Sequence, residues 1–444
     1  MSLAGRTLVA RGFHAPEGML EEFSGLVIEI GLGGGIETVR HPGSDGYHVP
    51  ADAIRLPEGT LLLPGFLDLH VHAPQYPQLG TALDEPLEVW LQRYTFPLEA
   101  RYGDLGFAGR VYRRLIADLL AGGTTTALYF ATLHVPATQR LAELCLELGQ
   151  RALVGKVVMD HPENCPEYYR DVSAGEAVAG TRAVIDHIRG LAGNEGGLVQ
   201  PVVMPRFIPS CSDEALAGLG ALAQETGCRV HTHASESDWE HGYVLERHGM
   251  SDAESLARFG LLTPHSVLAH GNFLSGSDFA LLRRQRAGVA HCPLSNAYFA
   301  GSVFPLRKAL NAGVAVGLGS DISGGPAGSV WETARMAVTA ARMLESGTDP
   351  DLPVERRSQH RGARIDAVTA FHLATAGGAS ALGLPVGSFA PGMRFDAMLI
   401  DPSVERGTLR QFDEEAGVRL LERVLYGTSK PNIAKVWVEG RQVA

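Results

Sequence analysis

The chain has 444 residues, of which 45% are hydrophobic and 20% are charged, a composition typical of a globular protein. A single hydrophobic core rarely grows beyond about 250–300 residues, so this length predicts more than one domain. The formal net charge is −11, from 38 basic and 49 acidic residues, and no basic run is present. Nucleic acid and anionic membranes are therefore poor candidates for the main partner, and a small neutral or cationic ligand is favoured.

Cysteine usage and the N-terminus both predict a cytoplasmic protein. The five cysteines are odd in number, far apart and never spaced as C-x-x-C, which indicates a reducing compartment. Arg6 and Arg11 interrupt any apolar stretch at the N-terminus, so no signal peptide is predicted. No segment approaches the roughly 18 apolar residues of a membrane span.

Both ends of the chain have β character. Short strands separated by turns are predicted near the N-terminus at Thr7–Ala10, Leu26–Ile30 and Ile36–Arg40, and near the C-terminus at Asp396–Ile400, Lys435–Val438 and Arg441–Val443. No helical period interrupts the N-terminal strands. We expect the two ends to pair into one small domain.

Between the ends, strand-like apolar runs alternate with stretches of helical spacing. Eight runs are predicted to be strands: Leu67–Val71, Thr125–Ala131, Leu153–Met159, Val199–Met204, Arg229–Thr232, Ser266–Ala269, Gly288–Ala290 and Ala315–Leu318. The helical stretches include Leu105–Leu120, Thr138–Leu148, Glu176–Leu191, Asp213–Thr226, Ser275–Arg286 and Val330–Leu344. Eightfold strand–helix alternation predicts a closed parallel (β/α)8 barrel, with a doubly wound sheet as the alternative.

The ends of these predicted strands carry the residues of a metal site. His70 and His72 are two residues apart on a strand, so both imidazoles project to the same face. A third imidazole from His233 and the carboxylate of Asp321 complete a ligand set suited to Zn²⁺, with a position left open for water. Such a metal would lower the pKa of that water and generate a hydroxide nucleophile. Glu236, three residues beyond His233, is then placed to carry its proton to the substrate.

Some neighbouring residues compete for these roles. His231 could replace His233 as the ligand, but His233 lies nearer the strand end, so His231 is expected to be structural. Asp68 shares the face of His70 and is expected to be a buried hydrogen-bond acceptor. His161 and Glu163 resemble the H-x-E motif of thiolate-zinc deaminases, but the P-C-x-x-C motif of that class is missing, so both are interpreted as loop residues.

The motifs resemble those of the amidohydrolase superfamily, in its branch of metal-dependent aminohydrolases. The resemblance covers nearly the whole chain and is closest to the guanine deaminase family. It is carried by the segments PGFLDLHVH from Pro64 to His72, HASE from His233 to Glu236, AHG from Ala269, HCPLSN from His291 and GSD ending at Asp321. The closer likeness rests on HAPQY from His72, WLQRYTFP from Trp90, MPRF from Met204 and DISGG from Asp321.

The resemblance implies a fold and a division of the chain. It implies a small β-sandwich built from residues 1–63 and 388–444 beside an amidohydrolase barrel of residues 64–387. Related enzymes suggest a homodimer.

The resemblance also implies a role for each motif residue. The metal ligands would be His70, His72, His233 and Asp321. His270 would hydrogen-bond the metal-bound water, and Glu236 would carry its proton to the purine ring; Glu236, His270 and Asp321 form the implied catalytic set. Gln75, Arg206 and Phe207 would hold guanine or a similar free base, by hydrogen bonds and an apolar wall.

Lysine content bears on the number of metal ions. Many binuclear amidohydrolases use a carboxylated lysine from strand 4, but the chain has only four lysines and none lies on that predicted strand. One divalent ion per chain is therefore expected, Zn²⁺ or alternatively Fe²⁺.

One departure from the family leaves the substrate open. The family commonly continues after Asp321 as G-G-x-S-x-S, whereas here Gly324 and Gly325 are followed by Pro326, Ala327 and Gly328. If these residues line the pocket, a pterin or 8-oxoguanine is an alternative substrate. A catalytically inactive scaffold barrel is the alternative from another class of protein.

Overall fold

The computed structural model describes residues 2–358, 360–412 and 415–444. Strands before the barrel are β1 (Arg6–His14), β2 (Glu21–Ile30), β3 (Ile36–Arg40), β4 (Ile54–Arg55) and β5 (Leu61–Pro64). The barrel strands are β6 (Phe66–His72), β7 (Thr124–Phe130), β8 (Arg151–Gly155), β9 (Val157–Val158), β10 (Val199–Pro205), β11 (Arg229–Ala234), β12 (Val267–His270), β13 (Gly288–His291) and β14 (Ala315–Leu318). Three strands follow it: β15 (Ala397–Ile400), β16 (Ile433–Val438) and β17 (Arg441–Gln442).

Helices separate the barrel strands and flank the C-terminal strands. They are α1 (Leu87–Trp90), α2 (Phe96–Ala100), α3 (Leu105–Ala121), α4 (Val135–Leu148), α5 (Ala174–Arg189), α6 (Asp213–Thr226), α7 (Asp238–His248), α8 (Asp252–Arg258), α9 (Gly276–Gln285), α10 (Pro293–Ser295), α11 (Leu306–Asn311), α12 (Val330–Ser346), α13 (Val354–Arg357), α14 (Ala367–His372), α15 (Gly378–Leu382) and α16 (Gly417–Gly427). Within the described ranges, none of the helices combines the length and apolar character needed to cross a bilayer.

The long barrel helices form where the sequence supplies both a cap and an apolar stripe. Helix α3 begins after Asp104, whose side chain accepts hydrogen bonds from the backbone of Gly106 and Phe107. Its buried residues recur at helical spacing, as in Tyr112 and Leu115, and this stripe packs toward the strands. Helix α6 begins in the same way: the side chain of Ser212 accepts a hydrogen bond from the backbone of Ala215, at the polar start predicted from the sequence.

The central sheet is parallel and closes on itself. Its strands follow the order β14-β13-β12-β11-β10-β8-β7-β6, with β9 paired to β10. At the closing edge, the backbone N–H of Asp321 donates to the carbonyl of His70 at 2.9 Å. The N–H of His72 likewise donates to the carbonyl of Ile322 at 2.9 Å. The predicted (β/α)8 barrel is therefore confirmed, and its carboxyl ends meet at one mouth.

The remaining strands form one sheet drawn from both ends of the chain. Its order is β17-β16-β15-β5-β1-β2-β3, with β4 paired to β1. Strands β5 and β15 are antiparallel partners, with Leu62 opposite Leu399, so the two chain ends are hydrogen-bonded to each other. The expected terminal β domain built from both ends is confirmed. The exact boundaries after residues 63 and 387 stay a prediction.

A buried ion-pair cluster joins this sheet to the barrel. The guanidinium of Arg151, at the start of β8, donates to both carboxylate oxygens of Asp396 at 2.8 and 3.3 Å. It also contacts Glu439 at 3.1 Å. The contact lies at the amino end of the barrel strands, away from the mouth, so it holds the two parts together without entering the site.

Candidate active site

Four side chains predicted as metal ligands converge at the barrel mouth. The Nε2 atom of His70 lies 3.3 Å from Oδ1 of Asp321, and Nε2 of His72 lies 3.5 Å from the same oxygen. The Nε2 atoms of His72 and His233 are 3.0 Å apart. Strands β6 and β11 and the segment after β14 supply these residues, which are all buried.

The spacing of these atoms fits a single divalent cation. Ligand atoms bound to one tetrahedral Zn²⁺ at about 2.1 Å lie about 3.4 Å from one another. The separations of 3.0 to 3.5 Å that join His72 to His233, and Asp321 to His70 and His72, match that spacing. The Nε2 atom of His70 is also buried without a hydrogen-bond partner in the protein, as expected for a nitrogen reserved for a metal.

A second histidine fixes which nitrogen of His70 is free. Nδ1 of His231 lies 2.7 Å from the carbonyl of Val267, which can only accept, so this nitrogen carries the proton. Nε2 of His231 is then an acceptor, and at 2.8 Å it receives a hydrogen bond from Nδ1 of His70. A neutral His70 therefore keeps its lone pair on Nε2, which faces Asp321. The expected structural role of His231 is thus the orientation of a ligand.

A carbonyl fixes His233 in the same way. Nδ1 of His233 lies 2.6 Å from the backbone carbonyl of Arg206, so Nδ1 carries the proton and Nε2 faces the cluster. Asp68, on the face of His70, accepts hydrogen bonds from the backbone of His70 and Ser320. It is thus the buried hydrogen-bond acceptor expected from the sequence.

Burial and mutual interactions hold the ligands in the charge state that a cation prefers. Burial lowers the pKa of His70, and burial together with the neighbouring imidazoles holds the pKa of His72 and of His233 well below the usual range. Burial alone would raise the pKa of Asp321, but His70 and the other imidazoles outweigh it and hold that pKa well below its usual range. Three neutral imidazoles and one carboxylate result.

Glu236 and His270 lie beside the four ligands. Oε1 of Glu236 is 3.7 Å from Nε2 of His270, which is 3.9 Å from Oδ2 of Asp321. Burial raises the pKa of Glu236. A carboxyl group whose pKa moves toward neutrality can both take up and release a proton, which is the property that a proton carrier needs.

The backbone of Glu236 is held by a residue that the sequence reading missed. Its N–H donates to Oε2 of Glu240, one turn into α7, at 2.7 Å. Burial, followed by the nearby charges of Asp252 and Glu236, raises the pKa of Glu240 well above its usual range. Oε2 of Glu240 accepts this hydrogen bond and so fixes the position of the Glu236 backbone.

Three residues at the mouth have left-handed backbone conformations. The φ angles are +51° for Ser235, +70° for His270 and +49° for Asp321. Such angles are uncommon for residues with a side chain and cost energy that the surrounding structure must offset. Here they turn the chain sharply after β11, at the end of β12 and after β14, where Glu236, His270 and Asp321 come together.

A cavity opens from the ligand cluster and has mainly apolar walls. Its apolar lining comprises Leu87, Trp90, Leu91, Phe207 and Phe299. The indole of Trp90 and the ring of Phe299 are in contact, with centroids 5.1 Å apart and planes tilted by 45°. Such walls suit a flat aromatic ligand, whose faces pack on apolar surface while its edges require polar partners.

The polar edge of the cavity is organised by Glu99, which the sequence reading also missed. The guanidinium of Arg206 donates to both oxygens of Glu99, at 2.7 and 3.2 Å, and all of these atoms are buried. Nε2 of Gln75 donates to Glu99 at 2.8 Å, and Oε1 of Gln75 accepts from the N–H of Ser323 at 3.2 Å. Both predicted substrate-binding residues therefore have fixed orientations and line the cavity together with Phe207.

The segment after Asp321, where the sequence departs from the family pattern at Pro326, Ala327 and Gly328, contributes little to the cavity lining. Gly324 lines it, whereas Ala327 and Gly328 are absent from its described lining. A Cβ atom on Gly328 would instead meet Ile322 at 3.1 Å, behind the wall. The change in this segment therefore does not reach the substrate directly.

The sequence gives little indication of the functional residues that were not predicted from it. Glu99 lies in the short helix α2 and Glu240 in α7, and neither stands at a strand end, where functional residues of a barrel are sought. Asn272 and Asn296 follow β12 and β13 closely and could have been noted for that reason. Phe299 carries no pattern that separates it from a core aromatic.

Comparison with known proteins finds similarity to one family and, within it, to guanine deaminases. The model of the amidohydrolase family matches residues 61–443. A probable guanine deaminase from Schizosaccharomyces pombe is 37% identical over 389 residues, covering 86% of this chain and 71% of the relative. A guanine deaminase from Dictyostelium discoideum is 35% identical, covering 86% of this chain and 82% of the relative. A crystal structure of guanine deaminase from C. acetobutylicum with guanine bound in its active site has a TM-score of 0.86 at 31% identity, covering 98% of this chain and 99% of that chain.

Proposed function

The chain belongs to the amidohydrolase family, and we propose that it hydrolyses guanine to xanthine and ammonia. The observation that carries the proposal is the cavity in which His72, His233, Asp321 and Glu236 meet the Arg206–Gln75 edge, with His70 beside His72 and Asp321. The guanine deaminases among its relatives support the same reaction. The reaction consumes one water molecule and replaces the exocyclic amine of guanine with a carbonyl oxygen.

We assign the metal ligands as His70, His72, His233 and Asp321. A divalent cation held by them, Zn²⁺ in the first instance and Fe²⁺ as the alternative, would supply the Lewis acidity that activates water at neutral pH. The Nε2 atoms of His70 and His233 are already oriented, the first by His231 and the second by the carbonyl of Arg206. One ion per chain is proposed, because β10 contains no lysine that could bridge a second one.

Glu236 and His270 handle the protons. The unprotonated Nε2 of His270 accepts a hydrogen bond from the attacking water, and Glu236 takes the water's proton. Glu236 then delivers this proton to a ring nitrogen next to the carbon under attack. Because Glu236 is buried, the proton does not exchange with bulk water during transfer.

Gln75, Arg206 and Phe207 hold the base. Glu99 occupies two donor positions of Arg206, which leaves the remaining N–H groups for the carbonyl and ring nitrogens of guanine. Gln75 keeps one N–H and one lone pair free after its bonds to Glu99 and Ser323. Phe207 provides an apolar face for the ring.

A substrate screen tests the proposed function. The purified metal-containing protein is expected to release ammonia from guanine much faster than from a pterin or from 8-oxoguanine. The reason is that Gln75 and Arg206, which belong to the segments resembling guanine deaminases, both line the cavity. Ammonia release is measured with a coupled dehydrogenase assay, and xanthine is identified by its absorbance. Faster turnover of a pterin or of 8-oxoguanine would overturn the substrate but retain the reaction class. No turnover of any aminated heterocycle would favour the inactive scaffold.

Removal of the metal is expected to abolish turnover and to lower the melting temperature, because a ligand that binds only the folded chain stabilises it. Dialysis against a chelator, followed by atomic emission spectrometry and thermal unfolding, measures both effects. Readdition of Zn²⁺ should restore both the turnover and the melting temperature.

The variant His72→Asn should bind less metal, whereas His161→Asn, which changes a histidine outside the cluster, should bind as much as the unmodified protein. Equal loss of metal in both variants would contradict the assigned ligands.

We also propose a homodimer in the cytoplasm. Within the described part of the chain the five cysteines are all free and buried, which supports a reducing compartment. Size-exclusion chromatography with light scattering tests the dimer, and a monomer at micromolar concentration would contradict it.

A further inference from the structure

Two buried asparagines link His270 to Glu236. The side chain of Asn272 donates to the backbone carbonyl of Glu236 at 2.8 Å. Its Oδ1 accepts from Nδ2 of Asn296 at 2.8 Å, and Oδ1 of Asn296 lies 2.9 Å from Nδ1 of His270. Asn272 is 7% exposed and Asn296 is 1% exposed, so solvent does not compete for these bonds.

The carbonyl of Glu236 determines the orientation of both amides. A backbone carbonyl can only accept, so the atom of Asn272 that faces it must be the nitrogen. The oxygen of Asn272 consequently faces Asn296, which must present its own nitrogen. Reversing either amide would place two donors or two acceptors against each other in a buried setting, where an unpaired polar group is costly.

The orientation of Asn296 then determines the tautomer of His270. Its oxygen faces Nδ1 of His270, so Nδ1 carries the proton. A neutral imidazole has only one N–H, and its lone pair therefore resides on Nε2. This nitrogen is buried without a hydrogen-bond partner in the protein and faces Glu236 and Asp321 at 3.7 and 3.9 Å.

We infer that Asn272 and Asn296 are positioning residues that hold His270 in the tautomer with a free Nε2, so that His270 accepts a hydrogen bond from the attacking water. The catalytic meaning of this tautomer rests on the proposed function. The same chain of amides anchors the backbone of Glu236 from its carbonyl side, while Glu240 anchors it from its N–H side. The two residues that handle protons are thus held by one hydrogen-bond network.

Two substitutions of Asn296 distinguish an effect on the tautomer of His270 from an effect on side-chain packing. Asn296→Leu has a similar size but offers no acceptor to Nδ1, so a fraction of His270 should move its proton to Nε2. Asn296→Asp loses the donor to Oδ1 of Asn272 but keeps an oxygen opposite Nδ1 of His270, so the proton on Nδ1 should remain there. Asn432→Leu is the control, because Asn432 is equally buried but bonds to Ser429 and Thr408 in the C-terminal region.

Nitrogen NMR of the zinc-loaded protein, labelled with ¹⁵N-histidine, gives the decisive measurement. Protonated and unprotonated ring nitrogens have well separated shifts, and the signals of His270 are assigned by their loss in His270→Gln. In the unmodified protein, Asn296→Asp and Asn432→Leu, Nδ1 of His270 should be protonated and Nε2 unprotonated, whereas in Asn296→Leu a fraction of His270 should carry its proton on Nε2. An unprotonated Nδ1 or a protonated Nε2 in the unmodified protein would overturn the inference, even if no variant folds.

Kinetics on guanine provide the second measurement. Loss of a residue that orients a catalytic group typically lowers activity about 10- to 100-fold, so kcat of Asn296→Leu should fall by that factor while KM and metal content change little. Asn296→Asp should recover a large part of the loss. Equal kcat values for the leucine variant and the unmodified protein would overturn the inference. If the unmodified protein does not turn over guanine, the proposed function fails, and the nitrogen spectra still decide the tautomer.

Discussion

The variant Glu236→Gln is expected to retain its metal and to lose about 10²- to 10⁴-fold in kcat, the usual contribution of a positioned proton carrier. Glutamine has the shape of glutamate but cannot take up the proton of the attacking water. The backbone contacts to Glu240 and Asn272 do not involve the changed group, so the side chain should stay in place. Ammonia release and metal content per chain measure the two effects separately.

A carboxylate on α7, the helix that follows Glu236, provides the control for this experiment. Glu246 is exposed on α7, and Glu246→Gln should leave both kcat and metal content unchanged. If Glu236→Gln also lost the metal, Glu236 would be a ligand. If it kept most of its activity, another group would carry the proton.

The variant Glu99→Gln is expected to lower the free energy of unfolding by about 3–5 kcal/mol, the usual effect of removing one partner of a buried ion pair. Glu99 and Arg206 are 0% and 3% exposed at their side chains, so the charge left on Arg206 would have no solvent to compensate it. Burial by itself lowers the pKa of Arg206, but the charge of Glu99 outweighs burial and raises it. Denaturant unfolding monitored by circular dichroism measures the loss.

An exposed pair with similar geometry is the matched control. Arg182 donates to both oxygens of Glu225 at 2.8 and 2.6 Å on the surface, and Glu225→Gln should cost about 0–1 kcal/mol. Equal costs for the two variants would mean that Arg206 finds another partner when Glu99 is replaced.

A double variant separates stability from binding. In Glu99→Leu/Arg206→Met no charge is left without a partner, so most of the stability should return. Guanine turnover should remain low, because the donors that face the base are lost. Recovery of turnover in the double variant would show that Arg206 is structural and does not bind the substrate.

Much of the barrel and of the ligand cluster could be predicted because the relevant signals are local. Alternation of strands and helices is visible in short windows of sequence, and parallel connection brings all carboxyl ends of the strands to one mouth. His70 and His72 share a face because the side chains of a strand alternate with a period of two. His233 and Asp321 were predicted because they stand at strand ends, and the structure brings them to the same point.

The groups that orient these side chains could not be predicted, because their partners are distant in sequence. Glu99 reaches Arg206 across 107 residues, and His231 contacts His70 across 161. Only the closed barrel brings such pairs into contact, and no periodicity marks them.

The class of fold, the terminal β domain and the types of ligand at the strand ends follow from the sequence, since they depend on local hydrophobic period and on residue chemistry. The folded chain is needed to show which nitrogen of His70, His233 and His270 is free, which carboxylate holds Arg206, and how Asn272 and Asn296 connect His270 to Glu236. Those properties depend on the direction of individual hydrogen bonds, and a direction is set only when a donor from one element meets an acceptor from another.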